Sequence, residues 1–349
     1  MKTKTLKRTG RMIPWAFIGF FILATVSPTT AAELPGADPL LKLVEEAKKE
    51  GSLVIYHSPT VPDIKRILDR FLQKYPFIKG EQYRASSVSL VNRVLTEARA
   101  KVSKWDVLIN NTFFLQQLVK KEILQKYLSA ERSAFGPGFR DDEGFWTGLF
   151  LNAAVLAYNS RMVSAKDVPR SFMDLTDPKW RGKICMEAEP YQMLAGLEKE
   201  WGKEKAWDFL RKLAAQKVVL RQGRSLLTQL CAAGEFPLAF PVYNYDVERN
   251  KRAGAPLDWV GLPPVVLSQE GIGLGQAPLH PNAGKLFIEF ALSKEGQSAV
   301  REFGRIPARL EIKPDPPKLT EGIKLIPSDP NLGNEVERLL KEFNALFRK

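Results

Sequence analysis

Residues 51–60 read GSLVIYHSPT. Leu53–Tyr56 is an unbroken apolar run of strand length, and it ends in His57-Ser58-Pro59-Thr60, where polar side chains and a proline stop it. From Pro62 to Lys74 the apolar residues Ile64, Ile67, Leu68, Phe71 and Leu72 recur at helical spacing. Upstream, Asp38-Pro39 opens a helix whose apolar face is Leu40, Leu41, Val44 and Ala47, and Gly51 supplies its stop. Downstream come a weak strand at Gln82–Ala85, a helix from Ser89, a strand at Trp105–Ile109 and a helix over Thr112–Val119. Alternating strands and helices of these lengths predict an α/β domain built on an open, mainly parallel sheet with helices on both faces.

A second α/β rhythm follows. Strands are predicted at Ala153–Tyr158, Lys183–Met186, Val218–Leu220 and Leu238–Phe240. Helices are predicted at Tyr191–Trp201, Glu204–Gln216, Ser225–Ala233 and Asp246–Ala253. Trp259–Gly275, rich in glycine and proline, reads as an extended return path. Helices at Asn282–Leu292 and Lys294–Phe303, then an amphipathic helix at Asn334–Phe347, complete the chain. In open α/β sheets ligands sit beyond the carboxyl ends of the strands. Here those ends lead into His57–Thr60, Ser86-Ser87 and Asn110–Thr112, all polar and each before a helix N-terminus that favours anions. The same residues also serve as ordinary helix caps.

The chain has 349 residues, 44% hydrophobic and 26% charged, which excludes disordered and fibrous classes. Two cysteines exclude a disulfide scaffold and a cysteine-built metal cluster. The formal charge of +13 suggests an anionic partner, but part of it lies in residues 1–32, which read as a secretory signal peptide. Lys2, Lys4, Lys7, Arg8 and Arg11 precede an apolar run, Met12–Val26, too short to span a bilayer, and SPTTAA follows. Cleavage after Ala32 removes five positive charges and leaves 317 residues at +8. With no Arg-Arg pair before the apolar run and no cysteine at the cleavage site, Sec export of an unlipidated periplasmic protein is expected.

Five runs carry a family resemblance: GSLVIYHSPT (51–60), KWDVLINN (104–111), FWTGLFLNAAVLAYNS (145–160), DLTDPKWRGKI (174–184) and LSKEGQSAVREFGRIPAR (292–309). In this order the chain resembles the extracellular solute-binding proteins of ABC transporters, in the branch containing ferric-ion-binding proteins. The resemblance implies a type II periplasmic-binding-protein fold, two Rossmann-like lobes joined by two crossover strands. Lobe 1 would be 33–148 plus 266–310, and lobe 2 would be 149–265 plus 311–349. It further implies that a ligand is captured between the lobes and delivered to an inner-membrane ABC permease by a monomer, with no catalysis, cofactor or nucleic acid.

Ferric-binding relatives use two adjacent tyrosines. Here Asn244 separates Tyr243 from Tyr245, which breaks that pair; Tyr245 and Tyr243 would be metal ligands only if ferric iron is bound. Fe³⁺ favours anionic oxygen donors, which an amide is not. A small organic anion, phosphorylated or carboxylated, is the better expectation. Arg224 and Ser225 at a helix start, with Ser58, Thr60, Ser86, Ser87, Asn111 and Thr112 opposite, suit an anion. Tyr191, Tyr243, Asn244 and Tyr245 suit an organic body, while Glu187 and Glu189 suit an amine or a metal or remain solvated. Cys185 and Cys231 fall in lobe 2, as a pair or as two buried thiols. An exported enzyme and a ligand-sensing partner of a membrane receptor are the alternatives; no GxSxG or HExxH motif supports the former.

Overall fold

The amphipathic run after Thr60 forms its helix as predicted, with Ile64, Ile67, Leu68 and Phe71 all buried. Phe71 meets Phe287 edge-on at 5.2 Å and Phe290 at 5.7 Å, which fixes the helix against a second one. Gly51, at φ +65°, ends the preceding helix in the left-handed region that glycine enters at least cost. The computed structural model describes residues 38–333 and 335–348. The expected signal peptide lies outside them.

The first half of the chain places β1 (Ser52–His57), β2 (Lys79–Arg84), β3 (Val107–Asn111) and β4 (Leu124–Gln125) among α1 (Pro39–Glu50), α2 (Val61–Lys74), α3 (Ser87–Arg99) and α4 (Thr112–Val119). A 13-residue strand, β5 (Thr147–Asn159), follows. Then come β6 (Ile184–Glu187), α5 (Tyr191–Trp201), α6 (Lys203–Ala214), β7 (Val219–Arg221), α7 (Arg224–Ala233), β8 (Leu238–Tyr243) and α8 (Asn244–Arg252). The last part holds β9 (Leu257–Val260), β10 (Val265–Gly275), α9 (Pro281–Leu292), α10 (Lys294–Glu302), β11 (Ile306–Pro307), β12 (Leu325–Pro327) and α11 (Glu335–Phe347). The extended return path expected over this stretch forms as two strands, β9 and β10.

The strand order is β2-β1-β3-β10-β5-β8-β6-β7. β1 pairs in parallel with β2 and β3, and β6 in parallel with β7 and β8. Between these two parallel groups β10 and β5 run antiparallel. Residues 147–153 of β5 pair with β10, whereas 154–159 pair with β8 and β9. One strand therefore passes from one half-sheet to the other. A core of Leu53, Ile55, Ile109 and Phe287 underlies the first half-sheet. Leu156, Met186, Phe209 and Phe240 form a core in the second, which also receives Leu339 and Phe343 of α11.

Candidate functional site

Each parallel strand ends where a helix begins: β1 into α2, β2 into α3, β3 into α4, β6 into α5, β7 into α7 and β8 into α8. Six helix N-termini therefore lie at strand carboxyl ends. Those of α3 and α4 are capped by side chains: Ser86 Oγ accepts from Ser89 N at 3.2 Å, and Asn111 Oδ1 from Phe113 N at 3.1 Å. The N-caps of α2, α5, α7 and α8 form no such side-chain bond. Unsatisfied N–H groups and the helix dipole make such ends favourable places for negative charge. Asn111→Ala should lower unfolding stability by about 1 kcal/mol, read by denaturant titration.

The two half-sheets meet through side chains. Phe113 of α4 and Tyr191 of α5 have ring centroids 5.8 Å apart. Ser268 of β10 accepts hydrogen bonds from Asn111 Nδ2 at 2.9 Å and from Gln192 Nε2 of α5 at 3.3 Å. Ser58 donates to Glu270 of β10 at 3.3 Å. Arg305 donates to Asp63 of α2 and to Asn152 of β5, and its guanidinium lies 3.3 Å from the ring centre of Tyr245 in α8. Arg249 of α8 also approaches Asp63, at 3.6 Å. These contacts hold the facing edges together.

A belt of aromatic and basic groups runs along the second edge. Arg224 lies 4.7 Å over Tyr243, and the Tyr243 and Tyr245 rings stack at 5.9 Å. Arg224 makes no ion pair among the described residues, and its buried Nε has no hydrogen-bond partner. Thr60 Oγ1 and Thr112 Oγ1 are likewise buried and unpartnered. Burial pushes the Tyr191 phenol up to about 12 and raises that of Tyr245, so both retain their protons at neutral pH and remain donors. Burial similarly holds the His57 imidazole neutral at neutral pH; its Nδ1 faces the Pro59 carbonyl at 3.2 Å.

Of the predicted residues, Ser58, Asn111 and Tyr191 meet through β10 and α4, while Arg224, Tyr243 and Tyr245 form the belt. Glu187 accepts from Gly223 N at 3.1 Å, so its carboxylate is already engaged by the N-cap residue of α7. Asn244 is fully buried; its amide donates to the Leu319 carbonyl and accepts from Tyr245 N, which directs it into the fold. Ser86 is engaged with Ser89, and Ser87 lends its carbonyl to Asn110. Ser225 is exposed at the start of α7. Cys185 and Cys231 are buried free thiols, pushed by burial up to about 11 and about 12.

Sequence reading missed Asp63, Gln192, Ser268, Glu270 and Arg305. The available signal was slight: Glu270 is the one charged residue in VVLSQEGIGLG (265–275), whereas Arg305 lies among other charged residues in REFGRIPAR (301–309) and carries no local mark. Among the described residues no group of three or more His, Cys, Asp or Glu side chains is arranged to hold a metal ion.

Residues 102–329 match the family described as bacterial extracellular solute-binding protein. The chain is 24% identical over 267 residues to an Fe(3+)-binding periplasmic protein of Serratia marcescens, covering 74% of this chain and 78% of that one. It is 28% identical over 222 residues to a putative 2-aminoethylphosphonate-binding periplasmic protein of Salmonella typhi, covering 60% and 64%. The fold is similar to that of the periplasmic binding protein AfuA of Actinobacillus pleuropneumoniae, solved with fructose 6-phosphate bound: TM-score 0.71, 24% identity, 85% of this chain and 99% of that one. This is the type II periplasmic-binding-protein architecture expected from the sequence. With the family match running through both half-sheets and the strands between them, the chain belongs to the bacterial extracellular solute-binding proteins of ABC transporters, in the ferric-ion-binding-like branch.

Proposed function

We propose that this chain is the periplasmic component of an ABC importer, capturing a small phosphorylated or carboxylated organic anion between two lobes and delivering it to the membrane permease. The observation that carries this reading is Arg224, a guanidinium in no direct ion pair among the described residues, with an unpartnered Nε, at the edge where helix N-termini without side-chain caps gather. Planar guanidinium groups bind phosphate and carboxylate through paired N–H bonds. Unpartnered hydroxyls of Thr60 and Thr112, the Ser58 and Ser225 hydroxyls, and the phenols of Tyr191, Tyr243 and Tyr245 supply further donors. The two lobes would be 33–148 plus 266–310 and 149–265 plus 311–349, with β5 and β10 as the crossover between them. A solute touching both lobes favours their closed arrangement, the form presented to the permease. The chain acts as a monomer and catalyses no step. Residues 1–32 serve as a cleaved Sec signal, consistent with the periplasmic relatives.

The phosphonate-binding relative favours a phosphorus oxyanion. The Serratia relative and the stacked Tyr243 and Tyr245 rings support ferric iron as the second reading. It requires the Tyr245 phenol to lose a proton that burial holds in place, because a hard cation needs anionic oxygen.

A thermal-shift panel separates the two: phosphonates, sugar phosphates, carboxylates, and Fe³⁺ with and without citrate. An organic anion should raise Tm with concentration. A visible tyrosinate–iron colour lost in Tyr245→Phe would support iron. The absence of a shift with every anion would sink the anion reading.

A further inference from the structure

Glu270 stands on β10 between the half-sheets. Next to it the ladder with β5 shifts register: Glu270 pairs with Phe150 and Gly271 with Gly148, so Leu149 is the extra residue. Such a bulge re-aims neighbouring side chains. Glu270 and Ser268, two residues apart on one strand, point to the same face. There Ser268 joins Asn111 to Gln192, and the Glu270 carboxyl meets Ser58. This face is the floor between the two edges that carry the uncapped helix N-termini.

The Glu270 carboxyl has one polar contact, the Ser58 hydroxyl at 3.3 Å, and no ion pair among the described residues. The nearby cation is already engaged: Arg305 is bound to Asp63 and Asn152. The groups acting on Glu270 are Arg305 from the segment before β11, Ser58 from the loop before α2 and Tyr191 at the start of α5. Its partners in the flanking strands, Asn111 of β3 and Phe150 of β5, do not titrate. Behind Arg305 stand Asp63 and Tyr245. Burial outweighs the opposing pull of Arg305 and Ser58 and raises the carboxyl to about 7. A carboxylate on this floor would repel an anion held by Arg224, whereas the neutral acid offers it an O–H donor.

The geometry points to Glu270 as a direct contact for the solute, held as the neutral acid and donating its hydrogen bond to the bound anion, so that capture takes up a proton. This rests on the anion reading and adds a residue and a pH dependence to it. An anion beside Glu270 raises the cost of ionising it further. The complex then keeps the proton at pH values where the free protein has lost it, and affinity falls as pH rises. For a carboxyl titrating near 7 in the free protein and about 9 or above in the complex, Kd rises about tenfold from pH 6 to pH 8. Without solute the sign is also defined. The folded protein holds more protons than the unfolded chain between about 4.5 and 7, so this group's contribution to stability declines as pH rises through that window.

The test uses sulfate, whose charge is constant from pH 6 to 8, at fixed ionic strength, with binding read by thermal shift. Wild type should bind it about tenfold more weakly at pH 8 than at pH 6. Glu270→Gln, which keeps a neutral donor, should bind with no such fall. Ser58→Ala removes a contact that favours the ionised form and should move the fall to higher pH. Unfolding without sulfate, followed from pH 5 to 8, should show wild type losing stability relative to Glu270→Gln. Sulfate binding with parallel pH profiles in the two proteins overturns the proposal and leaves the anion reading intact. Sulfate that binds neither protein, with no shift from the organic anions either, overturns both. A wild-type unfolding profile parallel to that of Glu270→Gln overturns the neutral acid itself.

Discussion

Arg305→Met should lower unfolding stability by about 3–5 kcal/mol, the usual cost of removing one partner from a buried ion pair. Arg305 and Asp63 are only 3% and 4% exposed at their side chains. Arg305 also donates to Asn152 and covers the rings of Tyr245 and Phe150. It thus ties α2, β5 and α8 together, elements from both half-sheets. Removing it leaves Asp63 buried with only the more distant Arg249, at 3.6 Å. The penalty is chiefly that of an uncompensated buried charge. Arg305→Met combined with Asp63→Leu removes both charges and should therefore recover most of the loss. In a protein of this size the single change should lower Tm by roughly 5–15 °C, and the double change by much less. Equal losses in the single and double variants would show that Arg305 acts through packing rather than charge. The same residue should influence closure, because its contact with Tyr245 exists only while α8 lies against it.

The sequence and the fold agree where the determinants are local. The apolar face of α2, the stop at Gly51 and the polar loop after β1 are all short-range patterns, and each forms as predicted. Agreement weakens where glycine serves a distant contact. Gly271 and Gly273 lie in the stretch read as extended, and both sit within β10, but what they serve there is not local. A Cβ at Gly271 would come within 2.9 Å of Leu115 and 3.0 Å of Thr112, and one at Gly273 within 2.8 Å of the Phe145 carbonyl oxygen. These glycines allow close approach between strands and a helix, which a local pattern does not reveal. The missed site residues share that cause. Asp63 and Arg305 are 242 residues apart, and Ser58 and Glu270 are 212 apart. Asn244 errs in the opposite direction: its place between two tyrosines suggested a ligand contact, but the amide is taken up by the backbone of residues 245 and 319. The helix N-termini were legible, because a strand ending in a polar loop is a local signal. Which termini remain uncapped was not, since Ser86 and Asn111 cap helices while Thr60 does not.

Arg224→Met should weaken anion capture about 10–150-fold, the loss expected for hydrogen bonds to a charged group worth about 1.5–3 kcal/mol. Its effect on the free protein should have the opposite sign. A partly buried guanidinium in no direct ion pair, with Nε unsatisfied, costs desolvation free energy that no direct hydrogen bond from Nε returns. Two interactions offset part of that cost: the Tyr243 ring, worth about 0.5–1 kcal/mol, and the longer-range attraction of the Glu187 carboxylate. Methionine fills a similar volume without the charge, so Tm without solute should hold or rise. Arg224→Lys keeps the charge but loses the planar fork, and should retain only part of the affinity. A structural arginine would behave differently: Met would lower Tm, and binding would fall only as folding failed. The comparison needs two measurements on one variant, Tm without solute and the anion-induced shift in Tm. A residue kept for its ligand lowers the second and spares the first. Serial addition of salt gives a further check: an interaction resting on one guanidinium in a half-buried site should weaken less than screened surface pairing, so the wild-type shift should survive 0.3 M NaCl.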